Sequence, residues 1–483
     1  MPAAFANLRA AAIDGRAHNI YYRQSQIEKL HQTLIGAAQE IKEALSFDYN
    51  YSPAEVAAEI NLTLEAIKRD YASLQPAKAL EDEYLLANGS DAPGSRQPAG
   101  IVYIEPCAHT LLFSTAVPLS AALAAGNCVI VLLENSLKRL PSILRQALQS
   151  SLHPDTFAIA SSPVSDPNIL SSSIFVDQNS SETWPRLNHL ASLARSGTVA
   201  VVDRTADVKL AAKELVAARF AFGGTSPYAP DLVLVNEFVK QAFLQAVVDG
   251  CREGRTGTRS REGKAGGANK LDEQLQALKK VDPRVQIVVQ EAKAAVAELS
   301  AREAQALSTK DEASIMKVIP VKSLDDAIDL IGNTSSGAAL AAYHFGTPAV
   351  GKYLAQFIDA RASFINHVPR GLLVGPAYPA THALELSARY TPDMFSWARP
   401  GFANVQPSSA SLAAQLAASD SVAVQKVLKQ ALGPLKAMKR KPGGGVGFFE
   451  QGFLMNAGLI LTFTISATAI GSVWLWRNAR MPW

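Results

Sequence analysis

The chain has 483 residues, 48% of them hydrophobic and 18% charged, with a net charge of +3. That length calls for two or three domains, and the basic excess is too small to argue for nucleic acid as a partner. Three scattered cysteines (Cys107, Cys128, Cys251) at no metal-ligand spacing argue against a metal site or a disulfide framework and for a reducing, cytosolic setting.

The first stretch, MPAAFANLRAAAIDGR, has no long apolar core, so no secretory signal is expected. Residues 1–75 read as helices. Ile27, Leu30, Leu34, Ile35, Ala38 and Ile41 recur at spacings of three and four, and Ser52-Pro53 opens a second such pattern. Around 87–98 the pattern lapses into a polar link. Gly100–Asn135 then reads as strand, helix and strand: Ile101–Ile104, Leu111–Ala125 stopped by Gly126-Asn127, and Cys128–Leu133. This is the building unit of a parallel sheet. Further strands are expected at Thr156–Ala160, Ile174–Val176, Thr198–Val202, Val285–Val289, Ile319–Val321 and Ser363–Asn366. Further helices are expected at Leu144–Leu152, Asp207–Phe220, Phe238–Val248 and Leu324–Ile331. Gly254–Asn269 is basic and Gly-rich and reads as a loop.

Phe220–Val235, FAFGGTSPYAPDLVLV, sets two glycines before an apolar run, the mark of a tight backbone approach leading into a buried strand. After Pro400 the globular pattern fades. Residues 405–447 carry a weakly amphipathic segment and then a basic, Gly-rich one with Lys436, Lys439, Arg440 and Lys441. Phe453–Trp476 follows, with 24 residues and no charge. That is long enough to cross a bilayer, with Trp474 and Trp476 at one end as interfacial aromatics. The positive-inside rule then puts the large domain in the cytosol.

Four segments in order carry a resemblance to the aldehyde dehydrogenase superfamily, from about residue 5 to about 400. They are Pro118–Asn127, Ala229–Val235, Val318–Ile328 and Tyr390–Pro400. The subgroup it resembles most is the fatty-aldehyde type, which also ends in a membrane anchor. The resemblance implies an α/β fold with a Rossmann-type domain (1–195), a catalytic-type α/β domain (196–385) and a closing segment (386–404) that builds a homodimer. A linker (405–452) and a transmembrane helix (453–476) complete the chain.

The same resemblance implies that the chemistry is gone. The family attacks its substrate with a thiolate, holds the oxyanion with an Asn and a backbone N–H, passes hydride to NAD(P) and hydrolyses the thioester with a Glu base. Here the nucleophile falls on Pro227, the base on Leu193 and the oxyanion Asn on His109. The ribose ligands fall on Leu132 to Asn135 and again on Ala313, and the phosphate turn on Val176 to Asn179. No cofactor and no metal are therefore expected. Of the polar groups left, His109 is the candidate acid or base, with Glu105 to orient it; Tyr228 and Ser226 flank the old nucleophile position, and Cys107 reads as a buried apolar group.

Two functions follow. One is a membrane-anchored pseudoenzyme that holds other membrane-associated enzymes of a pathway. The other is a repurposed non-redox enzyme (a cyclase, isomerase or dehydratase) acting on an apolar metabolite through His109. A third, an NAD(P)-dependent fatty aldehyde dehydrogenase, would need a different alignment. The partners expected are a lipid bilayer through 453–476, other membrane-associated enzymes or an apolar small molecule, and a second copy of the chain. The membrane is that of the endoplasmic reticulum, the outer mitochondrion or the peroxisome.

Overall fold

The computed structural model describes residues 3–180, 188–256, 266–291, 294–300, 302, 310, 314–334, 337–417, 421–436 and 447–478. It separates into two compact units, Met1–Asn404 and Val405–Trp483.

The first unit opens with helices at Ala3–Ile13, Ile20–Gly36, Ala38–Asp48 and Pro53–Ser73. The second starts where the Asn19 side chain accepts from the N–H groups of Tyr21 and Tyr22. The fourth starts on a reciprocal Ser52–Glu55 capping box with Pro53 in its first turn, which satisfies donors that a helix end otherwise leaves orphaned. Ile27, Leu30, Leu34 and Ile41 are buried as their spacing predicts. Ile35 is the exception, at 50% exposure.

Five parallel strands form the first sheet among the described residues: β2 (Ile101–Glu105), β3 (Cys128–Leu132), β4 (Phe157–Ala160), β5 (Ser173–Asp177) and β6 (His189–Ala191), in the order β4-β3-β2-β5-β6. The second sheet comprises β7 (Thr198–Val202), β8 (Leu232–Asn236), β9 (Gln286–Gln290), β10 (Ala294–Glu298), β11 (Ser314–Val321), β12 (Ala341–Phe345) and β13 (Ser363–Ile365). Their order is β13-β12-β7-β8-β11-β10-β9, parallel except for β9 against β10. β1 (Arg96–Pro98) pairs antiparallel with β14 (Ser396–Ala398), so the stretch read as a polar link ends in a strand.

Several boundaries move. The helix after β8 runs Lys240–Thr256 and the next begins at Gly266, so only the middle of the expected 254–269 loop is left, and 257–265 lies outside the described residues. β10 and β12 carry alanine where β-branched residues mark a strand, so period and propensity were both weak there.

The helix Leu111–Ala125 is wholly buried and has almost no polar face. It contains Pro118, which has no N–H to offer the carbonyl of Ser114 four residues back. It ends at Gly126, φ 91°, where the Gly126 and Asn127 N–H groups bond back to Leu123 and Ala122. The Asn127 side chain then ties Gly100 and Phe395 to this turn at 2.9 Å each. In the second unit, helices lie at Pro407–Ala417, Ser421–Ala431 and Phe448–Asn478.

Candidate functional site

In the first sheet, connections from β2 run outward in both directions, and a ligand of an open parallel sheet binds at such a switch, beyond the strands' C-terminal ends. β2 ends at Glu105 and β5 at Asp177, and these two residues are register partners. Two carboxylates therefore stand side by side where a pyrophosphate would lie. Burial raises the pKa of Glu105, helped by the charges of Asp177 and Glu134 and opposed by the Tyr103 hydroxyl, which donates to Glu105 at 2.5 Å. Burial pushes Asp177 the same way, but bonding to His189, the Asn179 N–H and Ser180 outweighs it and holds Asp177 below its usual value.

The next residue, Gln178, is fully buried. Its Oε1 accepts from the Cys107 N–H at 3.0 Å, and its Nε2 donates to the Ser114 carbonyl at 2.8 Å. That carbonyl is the one Pro118 leaves free. A helix defect and a side chain 64 residues away thus satisfy each other. Only residues 178–188 connect β5 to β6, fewer than the dozen or more of a usual parallel crossover, and 181–187 lie outside the described residues. Leu132 and Leu133 at the end of β3 carry no side-chain oxygen for a ribose, Glu134 and Asn135 beyond them are exposed, and Ala313 lies outside the described residues. The residues at this edge do not fit a dinucleotide.

His109 is buried, at 8% exposure. Its Nε2 lies 2.8 Å from the Leu373 carbonyl and its Nδ1 2.8 Å from the Thr225 hydroxyl. The carbonyl can only accept, so Nε2 carries the ring proton and Nδ1 is an acceptor. Thr225 has one proton for two takers, Nδ1 and the Phe222 carbonyl at 2.9 Å. Burial brings the His109 pKa down to about 4, against the Leu373 carbonyl and with the Arg389 and Lys310 charges, so the ring is neutral at pH 7. Phe222 stands edge-on to it at 5.7 Å and to Tyr51 at 5.1 Å, so the ring sits in a packed aromatic group.

None of the other predicted groups bonds its ring. Glu105 bonds Tyr103, so its oxygen is engaged there rather than on the His109 ring, whose two nitrogens have other partners. Ser226 is buried and its Oγ accepts from the Tyr228 N–H at 3.3 Å. The Tyr228 hydroxyl accepts from the Tyr378 N–H at 2.9 Å. Leu193 packs partly buried on the main core. The Cys107 thiol touches the His109 carbonyl and Ser114, and burial pushes its pKa up to about 11. Pro227 offers no nucleophilic atom, and its carbonyl accepts from Lys310 at 2.5 Å. A cleft of about 910 Å³ opens beside the start of the Phe220–Val235 segment, lined in part by Glu55, Lys209, Lys213, Phe220, Cys251 and Glu291; His109, Glu105, Ser226 and Tyr228 are not among its walls.

Glu59 escaped the sequence reading. It is fully buried on the Pro53–Ser73 helix, and its Oε1 accepts from the N–H groups of Leu112 at 3.0 Å and Phe113 at 3.4 Å, at the start of the next helix. Its Oε2 has no partner. Burial raises its pKa to about 7 against those two N–H groups. No local signal marks it, because only the packing of two helices some fifty residues apart creates the contact.

The folded pKa of Glu59 exceeds the free value, so the folded state holds a proton that the unfolded chain releases. Stability from this group is full below about 4.5 and is lost as pH rises toward 7. His109 has the opposite sign: its contribution is full above 6.5 and is lost as pH falls toward 4. Glu59→Gln keeps the acceptor and removes the charge. It is expected to raise stability at pH 8 by up to about 3 kcal/mol and to change little at pH 4.5. Urea titration at both values checks this; equal shifts at the two would refute the assignment.

No family model matches the chain. It is 25% identical over 254 residues to a 4,4'-diaponeurosporen-aldehyde dehydrogenase of Staphylococcus aureus, covering 49% of this chain and 54% of that protein. It is 25% identical over 260 residues to mouse aldehyde dehydrogenase family 3 member A2, covering 50% and 52%. The chain thus spans about half the length of the curated relatives it matches. Among solved structures it superposes on a substrate-bound Staphylococcus aureus AldH with a TM-score of 0.64, at 17% identity, covering 82% of this chain and 93% of that one. An NAD-dependent benzaldehyde dehydrogenase of Corynebacterium glutamicum gives 0.61 at 17%, covering 82% and 87%. The fold is that of the aldehyde dehydrogenases.

Proposed function

We propose that this chain is a pseudoenzyme: an aldehyde-dehydrogenase-fold protein, anchored in a membrane by its C-terminal helix, that does not oxidise aldehydes. Its cytosolic unit serves as a scaffold for membrane-associated enzymes of a pathway handling apolar molecules. The observation that carries this reading is the pairing of Glu105 with Asp177 at the sheet switch, with the buried Gln178 next in the chain. An anionic cofactor would meet two carboxylates. Proline at 227 removes the nucleophile independently, and groups that act as a unit in catalysis fail together.

Calorimetry on the full chain in detergent tests this without a substrate. NAD and NADP are expected to give no saturable heat, and Pro227→Cys is expected to restore no aldehyde-dependent reduction of either. Saturable binding, or turnover of a fatty aldehyde, would overturn the proposal.

A second reading, a repurposed non-redox enzyme, draws support from the 910 Å³ cleft beside the Phe220–Val235 segment, which holds lysines and carboxylates. His109→Ala at normal abundance separates the readings of His109. An unchanged product argues that the ring is framework.

A further inference from the structure

The second unit holds more than a span. The helix Ser421–Ala431 ends in a turn in which the Leu432 N–H bonds the Leu428 carbonyl. Val427, Leu428 and Leu432 fall on one side of it at spacings of one and four. They are 37%, 56% and 76% exposed. Lys426 and Gln430 project from the opposite side and Lys429 from the flank, as 100° per residue requires. Between 421 and 449 the sequence has six basic residues (Lys426, Lys429, Lys436, Lys439, Arg440 and Lys441) and no acidic one. Residues 432–447 alone separate this helix from the apolar one at Phe448–Asn478.

We propose that Ser421–Leu432 is an interfacial helix. It lies in the plane of the same membrane, with Val427, Leu428 and Leu432 in the acyl boundary and the lysines on acidic headgroups. The inference rests on the anchor reading, because the span is what confines the helix to within 16 residues of a bilayer. Basic amphipathic helices also bind proteins. The bilayer is favoured because the tether makes it the nearest apolar phase and because an uninterrupted run of cations matches an anionic leaflet. Each basic side chain near such a surface raises occupancy roughly fivefold. Lysine stems reach back from the flank, so the charge stays wet while the apolar side is covered.

The test uses the full chain with Cys251→Ser, whose remaining cysteines, Cys107 and Cys128, are buried. Single cysteines at Leu428→Cys, Leu432→Cys and Gln430→Cys carry an environment-sensitive fluorophore in vesicles of phosphatidylcholine and phosphatidylserine. Labels at 428 and 432 are expected to emit to the blue and to resist iodide quenching, while the label at 430 is quenched as in water. The protection is expected to weaken on phosphatidylcholine alone. Equal quenching at all three positions overturns the inference. So does protection of 428 and 432 that a lipid-borne nitroxide fails to quench, which would place that side against protein. Carbonate extraction of the same vesicles keeps the two readings apart. A chain that resists extraction but shows equal quenching loses only the interfacial helix; a chain that is extracted loses the anchor.

Discussion

Asp231→Ala is expected to destabilise the first unit by about 3–5 kcal/mol, the usual cost of removing one partner from a buried ion pair. Asp231 is buried at the entry to β8, in the motif that first marked this fold. Its Oδ2 accepts from the Thr198 N–H at 3.0 Å, which ties it to the start of β7. Two cations converge on it, the fully buried Arg219 at 3.5 Å and Lys310 at 3.3 Å. Those cations also hold the turn above: Arg219 donates to the Ile315 carbonyl at 2.9 Å and the Gly224 carbonyl at 3.4 Å, and Lys310 to the Pro227 carbonyl. Burial lowers the Lys310 pKa, and the charge of Asp231 opposes that. Alanine removes the one carboxylate the two cations share, in a place water does not reach. Asp231→Asn, which keeps an acceptor, is expected to cost less. Denaturant titration of the anchor-free chain measures both, and a loss under about 1 kcal/mol for the alanine variant would show that the cluster is not what pins the turn. The turn at Gly223–Pro227 is thus held by a buried ion cluster and needs no side-chain chemistry of its own to keep its shape.

Deleting 448–478 is expected to move the chain completely from the carbonate-resistant membrane fraction to the supernatant. The helix has 31 residues, about 46 Å at 1.5 Å per residue, against a hydrocarbon core of roughly 30 Å. Within it, Glu450–Trp474 has the length and hydropathy of a span, and none of that window is buried. Leu461 and Phe463 stand 62% and 77% exposed, an arrangement that water penalises and lipid does not. Four of its hydroxyls are satisfied internally: Thr462, Thr464 and Thr468 each donate to the carbonyl four residues back at 2.6 Å, and Ser472 does likewise. A polar group in hydrocarbon needs such a partner. A single Ile465→Arg, near mid-helix, is expected to weaken insertion by about 2.5–3.5 kcal/mol. Protease added from the cytosolic side should reach the first unit in the intact chain. A deletion variant that still pellets after carbonate would sink the anchor reading.

The organisation of the chain was legible because its signals are local. An apolar run flanked by turn residues reads as a strand wherever it lies, and Gly126-Asn127 stops a helix by backbone geometry alone. That Pro227 and Leu193 bring no nucleophile or base was legible for a simpler reason: a side chain without a reactive atom has none in any fold. β10 and β12, rich in alanine, carried no such signal, and their pairing came from neighbours already in place.

The sequence by itself determined the α/β order, the apolar C-terminal helix and the absence of a thiol at position 227. Tertiary structure decided what each remaining polar group does. His109 reads as a free acid or base until Thr225 and Leu373, 116 and 264 residues away, take its two nitrogens. No local signal joins Gln178 to the carbonyl that Pro118 leaves free, or Glu59 to the start of a second helix. Side-chain chemistry is fixed residue by residue, but protonation and hydrogen-bond partners depend on burial and on groups brought in from distant parts of the chain, which packing alone supplies.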